Sequence, residues 1–313
     1  MNSKRHLLVS TIVYCVVGCL SLPAAAQTYP TKPIRLVVPF GAGGVADLTA
    51  RTVAQKMAEG LGQSVVIDNK PGAGGVVAGD AVAKAAPDGY TLLLMSNGTA
   101  VSAGLFKSLP FDTAKDFAPV STLGFFDLSI VVADNSRFKT LGELLAYARA
   151  NPGKLNVGTI NVGSTQNLAA ELFKTSAGVD VQVVPFNGTP AVITALRGGQ
   201  IDAAVEILSP VVPQISARAL RALAVMGEKR SATLPDVPTV AESGLKGFNV
   251  ASWNAVAAPA KTPAAVVQRL NREIQAALKT PEVQKQLLAM HIEARGGSPE
   301  QLGQLLASET QRW

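Results

Sequence analysis

Gly41, Gly43 and Gly44 break the stretch RLVVPFGAGGVADLTAR, residues 35–51, between a β-rich run and a run with helical spacing. Such a turn can hold an anion. The first amides of a helix have no intrahelical acceptor, the peptide dipoles present their positive end, and glycine lets the backbone come close. The pattern Gly41-x-Gly43-x-x-Ala46, with Asp68 ending the next strand, also satisfies the dinucleotide fingerprint. Three features count against a nicotinamide cofactor. The leader described below implies export, and its Lys4-Arg5 is not a twin arginine; Pro39-Phe40 interrupts the strand; and Asp47 at the helix start would repel a phosphate. The plainer alternative is a tight βα connection, with Asp47 capping the helix and pairing with Arg51 one turn on.

A second stretch, LNVGTINVGSTQNLAAELF (155–173), repeats the arrangement: a strand, a glycine-containing loop rich in hydroxyl and amide groups, and a helix capped by Ser164. Two such helix starts facing each other across a hinge would grip a small anion with opposed N–H groups. A carboxylate suits that arrangement better than a phosphate, which usually recruits Arg or Lys as well. On this reading Gly43→Asp, which adds bulk and charge at the amide cradle, abolishes binding.

Catalytic chemistry finds little support. His291, in LLAMHIEA, has no second histidine at ligand spacing, and no Walker loop or nucleophile elbow is present. No cofactor or metal is expected. Trp253 is a candidate wall of the cleft or a packing residue of the hinge, and Phe125 and Phe126 read as core.

The elements that position these loops alternate in type. IRLVVPF, SVVIDN, TLLLMS, LNVGTI, VQVVPF and LRALAVMG read as strands, interleaved with helical stretches, which argues for βαβ units and a largely parallel sheet. The series starts over after STLGFFDLSIVVADNS. NVASWNAVAAPA is strand-like, and three helical stretches follow, with Pro263, Pro281 and Pro299 at their starts. This tail carries too little strand for a sheet of its own and is expected to return to the first lobe. The chain then crosses between lobes twice, near 124–130 and 247–253, giving a hinge and a cleft.

The first residues set the compartment. MNSKRH is a positive start, LLVSTIVYCVVGCLSL an apolar core, and PAAAQ a cleavage-like site, so residues 1–26 read as a secretory signal. The alternative is lipoprotein processing at Cys19. Cleavage after Ala26 removes Cys15 and Cys19, leaves no thiol, and lowers the formal charge from +6 to +4. The remaining cations are scattered, which argues against a nucleic-acid partner.

YPTKPIRLVVPFGAGGVADLTAR, NVGSTQNLAAELF, LRALAVMGEKRSATLPDVPTVAESG and SWNAVAAPAKTP together resemble the Bug-type periplasmic solute receptors of tripartite tricarboxylate transporters, over essentially the whole chain beyond the leader. The resemblance implies an α/β protein of the type II periplasmic-binding-protein fold. Its lobes would be 27–128 plus 248–313 and 129–247, joined by a two-crossing hinge with the ligand cleft between them. It implies a monomer that captures a small carboxylate (a di- or tricarboxylate, an amino acid or an aromatic acid) and delivers it to a membrane permease or sensor; the alternative is an exported enzyme acting in the same cleft. The ligand-binding positions it implies are Phe40, Gly41, Ala42, Gly43, Gly44 and Asp47 in the first loop, and Asn161, Val162, Gly163, Ser164, Thr165 and Gln166 in the second. Ser96, Asn97 and Thr99 come from SNGTA, and Phe186, Asn187 and Gly188 from PFNG. Departures from the family pattern fall at Asn167, Phe186-Asn187 and Glu206. Glu206 either recognises an ammonium group or stands on the rim in solvent.

Overall fold

The computed structural model describes residues 29–313 except Lys107. The leader at 1–26, with its alternative processing at Cys19, lies outside the described residues.

The chain opens with β1 (Ile34–Val38), α1 (Val45–Leu61), β2 (Val65–Asn69), α2 (Val76–Ala83), β3 (Thr91–Ser96) and α3 (Asn97–Leu105). A long strand, β4 (Phe117–Ala133), leads into α4 (Leu141–Ala150), β5 (Asn156–Ile160), α5 (Thr165–Ala177), β6 (Gln182–Phe186), α6 (Thr189–Arg197), β7 (Ala203–Ile207), α7 (Leu208–Ser216) and β8 (Leu220–Val225). The return strand β9 (Ala251–Pro259) is followed by α8 (Ala264–Lys279), α9 (Pro281–Ala289), β10 (Ile292–Ala294) and α10 (Pro299–Arg312).

The strands run in the order β2-β1-β3-β9-β4-β7-β5-β6, with β8 and β10 also paired to β4. Parallel pairing holds within the βα units, between β1 and its neighbours β2 and β3, and between β5 and its neighbours β6 and β7. The pairs made by β4 and β9 are antiparallel. The sheet is therefore mixed rather than largely parallel. The reason is that β4 and β9 carry the chain out of the first lobe and back, so they run in opposite directions.

Those two strands form the hinge. β4 pairs with β9 from Phe117 to Asp127, and with β7 and β8 from Leu128 onward. On the return, Val250 donates its amide to Met226 O in the second lobe at 2.7 Å, and the next residue, Ala251, pairs with Asp127. Both crossings lie side by side as extended backbone. Four apolar cores flank the two halves of the sheet, and the fully buried members of each fall on one side of this seam. The chain is thus two α/β lobes with separate cores, a construction that lets them move as units.

Two helices were not assigned from the sequence. SNGTA continues into α3 rather than ending a strand, because Ser96 is extended and caps the helix. Residues 208–216 carry Pro210 and Pro213, which argue against a helix, yet α7 forms. Pro210 lies in the first turn, where the missing N–H costs no bond, so only Pro213 sacrifices an intrahelical bond.

Candidate functional site

In the first loop, β1 ends at Val38 and Gly44 begins α1 as an extended N-cap with no side chain capping it. The first helical bond is Leu48 N–H to Gly44 O, at 2.9 Å. The amides at the start of α1 therefore have no helical acceptor, and Gly41, Ala42, Gly43 and Gly44 are exposed. Gly43 takes φ +80°, a conformation that favours glycine. Its N–H is directed inward and donates to Asp47 Oδ2 at 2.8 Å. Arg51 Nε donates to the same oxygen at 2.9 Å, and Asn69 Nδ2 donates to Asp47 Oδ1 at 2.9 Å and to Phe40 O at 3.0 Å. Burial pushes the Asp47 carboxyl up, but the hydrogen bonds from Arg51, Gly43 and Asn69 outweigh it and hold the group below the usual carboxylate range. Both carboxylate oxygens of Asp47 are thus committed to bracing the loop, and the Gly43 amide is committed with them.

The second loop repeats this in register. Gly163 takes φ +83°, Ser164 is the N-cap of α5, and the Gly163 N–H donates to the side chain four residues on, Asn167 Oδ1, at 3.3 Å. Asn167 Nδ2 donates to Thr159 Oγ1 at 3.3 Å, and Ser164 Oγ accepts from Asn167 N at 3.1 Å. Asn167 occupies the place of Asp47, one position beyond the residues predicted for this loop. Aligning the two glycines of positive φ would have found it. Asn161 and Val162 are exposed, whereas Gly163, Ser164, Thr165 and Gln166 are buried.

The second loop lies against the first lobe. A Cβ built on Gly98, in the first turn of α3, would lie 2.7 Å from Gly163 O, and one on Gly74 would lie 3.7 Å from Val162 O. Ser252 Oγ, on the return strand, donates to Thr165 Oγ1 at 3.1 Å. Gly98 and Ser252 carried no signal in the sequence, since close approach across the cleft is a tertiary fact.

The remaining predicted positions divide by role. The Asn97 amide is spent within the hinge region: Nδ2 donates to Ala251 O and Glu309 Oε2, both at 3.1 Å, and Oδ1 accepts from Trp253 N at 3.1 Å. Thr99 Oγ1 accepts from Ser96 N at 3.2 Å. Phe186 is half-buried at the end of β6, Asn187 is exposed, and Gly188, at φ +90°, precedes α6. Glu206 is fully buried, so it does not stand on a solvent rim. Gln166 Nε2 and Thr189 Oγ1 donate to its Oε2 at 3.4 and 3.1 Å. Burial, only partly offset by these hydrogen bonds, pushes its carboxyl up to about 7. Trp253 is a packing residue in the first lobe's core, together with the half-buried Phe125, while Phe126 is buried in that lobe's other core. His291 bonds through Nδ1 to Thr233 Oγ1 at 3.0 Å, and among the described residues no group of three or more His, Cys, Asp or Glu side chains is placed to hold a metal ion.

Two α/β lobes on a two-strand hinge, each with a helix that starts on a loop of matched geometry, define a periplasmic-binding-protein fold of type II. The profile described as "Tripartite tricarboxylate transporter family receptor" matches residues 49–313, and the chain belongs to this family. Protein BugT of Bordetella pertussis is 38% identical over 280 residues, covering 89% of this chain and 86% of that protein. The structure of MatC from Rhodopseudomonas palustris with bound malate is 34% identical, covers 91% of this chain and 98% of that one, and superposes with a TM-score of 0.83. A second R. palustris protein, solved with adipate, is 35% identical, covers 91% and 96%, and has a TM-score of 0.84.

Proposed function

We propose that this chain is an extracytoplasmic receptor that captures a small carboxylate between loops 40–47 and 161–166 and delivers it to a membrane permease of the tripartite tricarboxylate type. The lobes that close on it are 27–128 plus 248–313 and 129–247, and the chain acts by binding rather than catalysis. The observation that carries this reading is the register match of the two loops. Each has a glycine near φ +80° whose N–H is tied to the side chain at the third helical position, which leaves the amides of the first two helical positions without helical acceptors. Val45 and Ala46 provide them in one lobe, Thr165 and Gln166 in the other. An anion between them meets positive dipole ends from both sides, without a formal cation to be desolvated. The relatives solved with malate and adipate support a carboxylate as that anion. The leader at 1–26 supports export to the periplasm.

The test is a thermal-shift panel of di- and tricarboxylates, amino acids and aromatic acids, on protein unfolded and refolded to strip any carried ligand. One acid is expected to stabilise the protein by about 2.7 kcal/mol at a hundredfold excess over its Kd, with no product formed. No shift with any acid would overturn the reading, and turnover of the stabilising acid would convert it to the enzyme alternative.

A further inference from the structure

Glu206 sits at the end of β7, beneath the first turns of α5 and α6 that supply Gln166 and Thr189. Strand ends of this kind are where open α/β sheets bind ligands. Its side chain has no solvent exposure, and while Oε2 accepts from both Gln166 and Thr189, Oε1 is buried with no partner at all. The groups hydrogen-bonded to this residue are neutral: Gln166 from α5 and Thr189 from α6 at its carboxyl, the neighbouring Ile207 amide, which also acts to hold the carboxyl down, and Ser129 from β4, whose Oγ donates to the main-chain O of Glu206 at 3.2 Å. No charged side chain among the described residues influences its titration.

An ionised carboxylate with one bare oxygen in such surroundings is costly, whereas the neutral acid is tolerated. The two donors on Oε2 also decide where the proton goes. An oxygen already receiving two hydrogen bonds is the carbonyl-like one, so the proton belongs on Oε1, where it is a donor without an acceptor.

We propose that Glu206 selects the ligand class: as a neutral acid it donates its Oε1 proton to an oxygen of a second acid group on the bound solute, so the cleft takes dicarboxylates in preference to acids bearing an ammonium group at that end. This deepens the carboxylate-receptor reading and rests on it. The bond is a charge-assisted O–H···O⁻ contact, among the stronger hydrogen bonds available to a carboxyl. An ammonium group there would require the carboxyl to give up that proton, so the preference for a dicarboxylate is greatest in acid and weakens as pH rises. Binding is then coupled to protonation: where Glu206 is ionised in the unliganded protein, a dicarboxylate binds only with uptake of a proton.

Calorimetric titration of the refolded protein with malate, adipate and 4-aminobutyrate, which carries an ammonium in place of the second acid group, from about pH 5.5 to 8.5 in two buffers of different ionisation heat, tests this. Malate or adipate should bind more tightly than 4-aminobutyrate, lose about tenfold in affinity per pH unit on the alkaline side, and take up close to one proton there. Glu206→Gln, whose amide keeps a donor at the Oε1 position at every pH, should bind the same dicarboxylate with a flat profile and no proton uptake. Its melting temperature without ligand reports separately on the fold. A flat profile in the wild type, or a preference for 4-aminobutyrate that Glu206→Gln removes, overturns the assignment. Absence of binding by any of the three acids at every pH, together with no stabilisation across the wider acid panel, would instead remove the carboxylate-receptor reading, and this assignment with it.

Discussion

Replacing Gly98 with valine is expected to weaken carboxylate binding by about a hundredfold, while the unliganded protein melts no lower than the wild type. The affinity loss follows from the approach of Gly163 O, which would lie 2.7 Å from a Cβ at position 98. That oxygen is main chain in the opposite lobe, so it can move away only by opening the cleft. A solute held by one lobe keeps half of its amide donors, and each 1.4 kcal/mol lost is a factor of ten. Stability is spared because Gly98 lies in α3, where glycine is about 1 kcal/mol worse than alanine and most other residues are better than glycine. Alanine at the same place should give the same effect in smaller measure. Calorimetry on both variants, with melting of the unliganded proteins, checks this. Wild-type affinity in Gly98→Val would show that the lobes do not approach at this point when ligand is bound.

Asp47→Ala is expected to be the most damaging change to the first loop, at about 2 kcal/mol of stability and with loss of detectable binding. The Asp47–Arg51 ion pair is a minor part of this, since the Arg51 side chain is 49% exposed. The larger part comes from the Gly43 N–H and Asn69 Nδ2, which lose the Asp47 oxygens that hold the loop in shape. Asp47→Asn should be much milder, because the second lobe uses Asn167 at the equivalent place to hold Gly163. The two variants, compared by denaturant unfolding and calorimetry, separate the brace from the charge. Acid should mimic the damage: the Asp47 carboxyl lies below its ordinary range, so its stabilisation is present at neutral pH and lost as pH falls through the folded value. Glu206 runs the other way. Its carboxyl is raised to about 7, so its contribution is full in acid and lost as pH rises through 7.

Local chemistry made the loops legible. Gly43, Gly44 and Ser164 punctuate strand and helix in the sequence itself, and the Asp47–Arg51 pair follows from helical spacing alone. The lobes and their two crossings could be inferred because the βα series starts over and its tail lacks strands. What sequence pattern could not supply was long-range. The antiparallel union of β4 with β9 joins residues more than a hundred positions apart, with register shifts near Pro119 and Gly124 that no local rule sets. Glu206 lies in AAVEI, where the first four residues are buried, so alternation could not tell a solvent face from a closed one. Asn97 resembles a ligand-facing amide in SNGTA, yet its partners come from β9 and α10.

A crystal structure of the refolded protein with the acid that most raises its melting temperature will show directly where the solute is held. A carboxylate group is expected between the lobes, with oxygens about 3 Å from main-chain amides at the start of α1 and of α5, directly or through one water. A solute held elsewhere, such as the cavity of about 430 Å³ lined by Phe248, Lys246 and Arg312, or amides of either helix start turned away from it, would rule out capture by the paired helix starts.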